Sequence, residues 1–362
     1  MSNPTSDVNN LSTERRSLLA LQLLRLRKEG KGDDAQRNPL KKVRRENNDR
    51  HPLSYAQERL WFFAQLAPGN SGYNMPTAVR LQGPLDVSAL ERSLNEIVKR
   101  HESLRATFLV DEGRPVQLIA PELQISLPII DLSRYACPED EAHKITRGEA
   151  CKPFDLATGP LLRATLLKLG EDDHVALLIM HHIASDNWSM NILMREIGFF
   201  YTTFSTGRTV TLPELEIQYP DYVNWRREIQ GGELWEKQLA YWKQQLDGHL
   251  PTLELPTDKP RPAVQSFRGD KKSVSLQAVA TRSLLEICER EGVTLYMLLL
   301  AAFKTLLYRY TGQTDILVGM PSANRNHKAL EPLIGLFIDT LVLRTDLSGD
   351  PTFPELLQRV RQ

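Results

Sequence analysis

His181-His182-Ile183-Ala184-Ser185-Asp186-Asn187-Trp188-Ser189 stands between two segments of opposite character. Before it, Val175-Ala176-Leu177-Leu178-Ile179-Met180 is a continuous apolar run with the length of a buried strand. After it, Met190, Leu193, Met194, Ile197 and Tyr201 recur at the spacing of a helix face. The two histidines therefore close a buried strand, at the kind of loop where a rigid scaffold presents reactive side chains. Neighbouring side chains on a strand point to opposite faces, so only one of His181 and His182 faces a reaction space. The other is held inside the protein. Asp186 follows the turn, where a carboxylate paired with a cation would pin it.

Composition narrows the field. The 362 residues suggest two domains or lobes, each able to bury its own core. Lys+Arg and Asp+Glu are equal at 45 each, which gives no electrostatic case for nucleic acid or an anionic membrane as partner. No apolar run has the length of a membrane span, and Met1-Ser-Asn-Pro-Thr5 is not a signal peptide, so a cytoplasmic protein is expected. Cys137, Cys151 and Cys288 lie far apart, without a CxxC pair, and read as reduced thiols rather than as a disulfide framework or a metal site.

Upstream of the histidines, Leu11 to Glu29 is rich in helix formers, with Leu19, Leu23 and Leu26 on one face. Such a helix either packs on the first lobe or docks another subunit. Gly30 to Arg50 mixes charges of both signs and reads as a solvated tether, so residues 1–50 are set apart as a helix plus linker. Ser54 is placed to cap a helix carrying Leu60, Trp61 and Phe63, and Asn74 to Leu81 reads as a strand. Leu90, Leu94, Ile97 and Val98 form a helix stripe that ends in Lys99-Arg100-His101. His101 is expected to sit on the dipole at that helix end rather than to act in catalysis. Leu161–Leu169 and His174–Met180 are joined by Gly170-Glu-Asp-Asp173 as a hairpin.

Downstream, Tyr219 opens a helix that is expected to continue through Leu234, Leu239, Trp242 and Leu246, its aromatics packing in a core. Pro251, Pro256, Pro260 and Pro262 forbid a helix or central strand over 249–262, which marks a linker between a first lobe (51–248) and a second (263–362). Ser283–Glu291 and Leu295–Tyr310 read as helices, the latter almost wholly buried. Asp315–Met320 and Ile334–Arg344 read as strands.

Several of these stretches resemble, in order, the core motifs of the condensation domains of nonribosomal peptide synthetases, within the chloramphenicol-acetyltransferase-like acyltransferases. The stretches are Ser54-Tyr-Ala56-Gln57-Glu-Arg59-Leu60-Trp61, Arg100-His101-Glu102-Ser-Leu104-Arg105, His181-His182-x-x-x-Asp186, Tyr219-Pro-Asp221-Tyr222-x-x-Trp225 and Ile334-Gly335-x-Phe337-Ile-Asp339-Thr340. The resemblance covers roughly 52–362 and implies an α/β fold, an α+β sandwich of two lobes forming a pseudo-dimer with a central channel. The chain stops before the sixth and seventh motifs, so the second lobe is expected to be incomplete.

The implied reaction is acyl transfer. The amine of a downstream carrier-bound aminoacyl thioester attacks an upstream carrier-bound acyl or peptidyl thioester to give an amide. Family position makes His182 the catalytic residue, acting as base, by orienting the amine, or by stabilising charge. His181, Asp186 and Arg105 are carried over as structural, with Arg105 the implied partner of Asp186. Asn187, Trp188, Ser189, Gly335 and Asp339 are candidates for the substrate channel. No metal or bound cofactor is implied. The substrates ride on the 4'-phosphopantetheine arms of upstream and downstream carrier proteins, beside adenylation domains or other synthetase modules.

Two positions depart from the motif. Asn187 stands where the family has Gly, either filling a positive-φ position or narrowing the channel. Asp339 replaces an Asn and brings a charge to the lobe interface. Retention of both histidines and Asp186 favours condensation over the cyclising relatives. Two other classes stay open: an inactive fragment serving only as a binding module, and a stand-alone acyltransferase using acyl-CoA.

Overall fold

The computed structural model describes residues 40, 42, 50–208, 210–260, 262, 269 and 272–362. The helix expected over Leu11–Glu29 lies outside them, as does nearly all of the charged stretch after it. The described chain opens with β1 (Arg50–Pro52) and α1 (Tyr55–Leu66). Ser54 caps α1 in a reciprocal box: its Oγ accepts from the Gln57 N–H, and the Gln57 side chain accepts from the Ser54 N–H. Then come β2 (Asn74–Gln82), α2 (Val87–Arg100), β3 (Ala106–Asp111), β4 (Arg114–Ile119), β5 (Ile129–Asp131) and α3 (Pro138–Ala150). The hairpin β6 (Leu162–Lys168) and β7 (Asp173–His181) delivers the chain to the histidine turn, and α4 (Asn187–Ser205) leaves it.

β7 is central in a four-stranded sheet ordered β2-β7-β6-β5, with β5 parallel to β6 and the other pairs antiparallel. Both faces of a central strand are covered, which is why β7 is apolar from Val175 to Met180. Ala176, Leu178 and Met180 pack with Leu90, Leu94 and Ile97 of α2 and Ile192, Leu193 and Ile197 of α4. On the other face, Val175 packs toward Leu167 and α3. A three-stranded sheet, β1-β4-β3, lies beside it.

The long helix expected after Tyr219 is two helices, α5 (Tyr219–Glu228) and α6 (Glu233–Gln245). Gly231, at φ 85, turns the chain between them. Tyr219 and Tyr222 enter the core as expected, whereas Trp235 and Leu239 of α6 are exposed. Residues 249–260 form neither helix nor strand. Next are α7 (Ala278–Glu291), α8 (Leu295–Thr311), the antiparallel pair β8 (Asp315–Ser322) and β9 (Asp339–Asp346), and α9 (Phe353–Arg361).

α8 is less buried than its sequence suggests. Leu298, Ala301 and Leu307 are covered, but Tyr296, Leu299, Phe303, Leu306 and Tyr310 are exposed along the opposite stripe. A two-stranded ribbon covers only one face of a helix. Lys304 is buried in α8, its Nζ donating to Leu343 O (2.8 Å) and Thr345 Oγ1 of β9, and burial lowers its pKa to about 8.

The strand expected from Ile334 begins later, at Asp339. Before it, residues 330–338 run as an irregular strap across the elements around the histidine turn. From Ile334 to Phe337 its bonded backbone groups pair with side chains rather than with a neighbouring strand. No single helix among the described residues is long and apolar enough to cross a membrane.

Candidate active site

β7 ends at His181, and His182–Ala184 make one 3-10 turn before Asp186 starts α4. His181 is 4% exposed. Its Nδ1 accepts from the Ile183 N–H at 3.1 Å, so the neutral ring carries its proton on Nε2. Burial, with His182 and Arg163 nearby, holds its pKa down to about 4. His182 is half-buried. Its backbone N–H bonds to Tyr73 O, and its Nδ1 lies 2.6 Å from Ser185 O. A carbonyl only accepts, so Nδ1 is the protonated nitrogen and Nε2 of the neutral ring keeps its lone pair. Gln57 Nε2 donates to Ile183 O at 3.2 Å and fixes the turn from the α1 side.

Asp186 is buried and accepts three bonds. Oδ1 takes the Ser189 N–H (2.8 Å), capping α4, and the Arg325 Nη2 (3.2 Å), while Oδ2 takes the Phe337 N–H (3.1 Å). The partner implied for Asp186 is Arg105, and the structure corrects this. Arg105 points away, its guanidinium donating to the carbonyls of Val98, Lys99, Ala120 and Pro121. It ties the end of α2 to the end of β4. Arg325 is fixed by Leu333 O (2.7 Å), Leu330 O and Ser189 Oγ (2.9 Å), and lies 3.9 Å over the Phe337 ring.

Side chains from the quoted motifs converge on the strap. Ser103 Oγ donates to Ile334 O (2.7 Å), and the Ile334 N–H bonds to His101 Nδ1 (3.3 Å). Ser189 Oγ bonds to both Gly335 O (2.9 Å) and Gly335 N (3.1 Å). Tyr219 Oη donates to Leu336 O (2.7 Å) and lies 2.9 Å from Ser54 Oγ. A Cβ on Gly335 would stand 2.1 Å from Tyr219 Cδ2, so this position excludes any side chain. His101 follows α2, as expected, but its ring turns inward: Nε2 bonds to Glu196 Oε2 at 2.9 Å, and burial lowers its pKa.

The channel candidates divide. Ser189 and Gly335 are buried and bonded to one another, so they belong to the scaffold rather than to an open wall. Asn187 has no positive φ; it is the first residue of α4, and its side chain is exposed. The family Gly is thus not demanded here by backbone conformation. Trp188 is exposed, its Nε1 donating to Glu331 O (3.0 Å), and it walls a groove of about 730 Å³ that also includes Arg195 and Lys328. Asp339 is half-buried, accepts from Asn324 Nδ2 (3.2 Å) and faces Arg226 at 3.7 Å. Burial raises its carboxyl pKa, against the opposing pull of Arg226 and Arg59. Among the described residues, no group of three or more His, Cys, Asp or Glu is arranged to hold a metal.

Sequence reasoning missed Arg325 and Glu196. Arg325 lies three residues beyond β8, the same strand-end position that singled out the histidines. Glu196 is an acid on an otherwise apolar helix face, a signal that a buried partner exists.

The mixed α/β fold, with its histidine turn at the end of a central strand, places the chain among the chloramphenicol-acetyltransferase-like proteins. Residues 47–362 match the family model for the Condensation domain, and the chain belongs to that family. It is 51% identical over 317 residues to a linear gramicidin synthase of Brevibacillus parabrevis, across 87% of this chain and 4% of that protein. The X-domain from teicoplanin biosynthesis shares 33% identity at a TM-score of 0.78, covering 89% of this chain and 71% of that one. The first condensation domain of the CDA synthetase shares 26% at a TM-score of 0.71, covering 87% and 75%. The chain spans only 4–6% of the length of the linear gramicidin synthases it matches. The family is one of amide-forming acyltransferases in nonribosomal peptide synthetases.

Proposed function

We propose that this chain joins a carrier-bound acyl or peptidyl thioester to the amine of a second carrier-bound aminoacyl thioester, with His182 as the catalytic residue. The observation that carries this is the 2.6 Å contact between His182 Nδ1 and Ser185 O. With Nδ1–H committed to that carbonyl, Nε2 is an acceptor. It can take a proton from the amine as nitrogen attacks the thioester carbon, or orient that amine by accepting its N–H. In the neutral ring Nε2 has no proton to give an oxyanion, which favours these roles over direct charge stabilisation. As the C–N bond forms and C–S breaks, the amine proton ends on the leaving thiolate. Asp186 and Arg325 act by positioning, each bonded into the scaffold, and His181 positions the turn through the bond its Nδ1 accepts from Ile183 N–H.

In this reading, residues 51–248 and 263–362 are two lobes, joined at 249–262 and fastened by the strap. A phosphopantetheine arm enters by the groove at Trp188, with Asn187 and Asp339 bordering the reaction space. The partners are carrier domains, with adenylation domains in the same assembly, in the cytoplasm. A second reading, a binding module, draws on the likeness to the teicoplanin X-domain, which was solved in complex with OxyB.

The test is mass spectrometry of products from the purified chain and two loaded carrier proteins, beside His182→Ala. Amide formed by the wild type and reduced by roughly 100-fold or more in the variant supports catalysis. A folded wild type that yields no amide overturns it in favour of the binding module.

A further inference from the structure

His181 lines a cleft of about 430 Å³ between the C-terminal end of α1 and residues 153–157. Its Nδ1 is occupied by the Ile183 N–H, so the ring's other nitrogen, Nε2, carries the proton. Among the described residues no group accepts that proton. The side chain is more than nine-tenths buried and lines the cleft, so the donor is open to whatever fills it rather than sealed in the core.

The cleft around it is built and rigid. Phe154 stands edge-on to the His181 ring, with centroids 5.7 Å apart. The Arg163 guanidinium lies 3.8 Å over Phe154 and is itself anchored on the carbonyls of Glu149, Lys152 and Pro153. Phe108 and Leu156 supply apolar floor, and Ala64 and Ala157 leave room. The volume lies in the range of small-molecule sites. Asp155 is at the cleft, with its carboxyl pKa lowered by bonds from Thr158 and Ala157, so a negative charge lines it.

We propose that this cleft is a ligand site for a small neutral acyl compound, an aromatic or alkyl body carrying one carbonyl that accepts the His181 Nε2–H. The apolar walls select the body, the single donor selects a carbonyl, and the opposed charges of Asp155 and Arg163 favour neither sign of ligand. His182 is not among the residues that line this cleft, which sets the site apart from the proposed condensation chemistry. Occupancy nevertheless bears on the turn that holds His182, since His181 also grips Ile183.

The test uses the full chain and N-phenylacetamide as probe, read by proton–nitrogen correlation spectra of the imidazoles. The expected result is a saturable shift of the His181 Nε2 resonance, also present in His182→Ala. Binding should weaken about tenfold or more when the cleft is filled by Ala157→Phe, a change at an exposed position that leaves the core intact. Ala64→Phe, filling the cleft from α1, should do the same. No saturable shift at His181, or equal binding in both filled variants, overturns the proposal. Loss of amide formation in His182→Ala with this binding retained separates the site from the catalytic reading.

Discussion

Arg325 and Asp186 form a buried ion pair, Nη2 to Oδ1 at 3.2 Å, that joins the loop after β8 to the N-terminus of α4. The pair sits beneath the histidine turn, and both partners also hold the strap: Arg325 through the Leu330 and Leu333 carbonyls, Asp186 through the Phe337 N–H. Position, more than net attraction, is what such a pair provides, because desolvation offsets much of the Coulomb gain.

Removing one partner strands the other. Arg325→Ala is expected to cost about 3–5 kcal/mol in urea unfolding, since it leaves the Asp186 charge buried. Arg105→Ala should leave the bonding of Asp186 unchanged. A loss below about 1 kcal/mol for Arg325→Ala would show the pair to be solvated instead.

The tautomer of His182 is open to direct measurement. Imidazole nitrogen shifts at neutral pH should report a protonated Nδ1 and an unprotonated Nε2, as the contact to Ser185 O requires. The opposite tautomer would remove the acceptor on which the proposed role depends.

Acid should weaken the fold through His181. Its pKa falls from 6.5 to about 4 on folding, so between those values the unfolded chain binds the proton that the native ring refuses. Stability is therefore complete above about pH 6.5 and declines as pH falls toward 4, by on the order of 2–3 kcal/mol from this group. His101, lowered mainly by burial, adds in the same direction. Urea midpoints across this range should show a shallower decline for His181→Gln, and an unchanged slope would count against the burial argument.

Gly335→Ala should be severe for a single methyl group. The added Cβ would meet Tyr219 at 2.1 Å, too close for a rotamer change to relieve. A loss of about 2–3 kcal/mol or more in thermal or urea unfolding is expected. The double variant with Tyr219→Ala should lose less than the sum of the single changes.

Much of this fold is legible in the sequence because its signals are local. The apolar run of β7, the stripe of α2, the Ser54 cap and the hairpin at Gly170 each depend on residues within a turn or two of one another. The histidine turn is legible for the same reason. The partner of Asp186 is not: Arg325 lies 139 positions away, and Arg105, sharing its charge, sits inside a recognised motif. The apolar residues from Ile334 imitate a strand because tertiary contact buries them without a sheet ladder. Asn187 invites comparison with glycine, whereas the position is ordinary helix.

Most of the polar anchors on the strap recognise its amide groups: Ile334 N and O, Gly335 N and O, Leu336 O and Phe337 N. The strap is thus held twice, by its main chain and by the buried side chains of Leu333, Ile334, Leu336 and Phe337. A segment gripped in both ways has one seat, and it fixes the loop after β8 and the start of α4 against each other as a single piece.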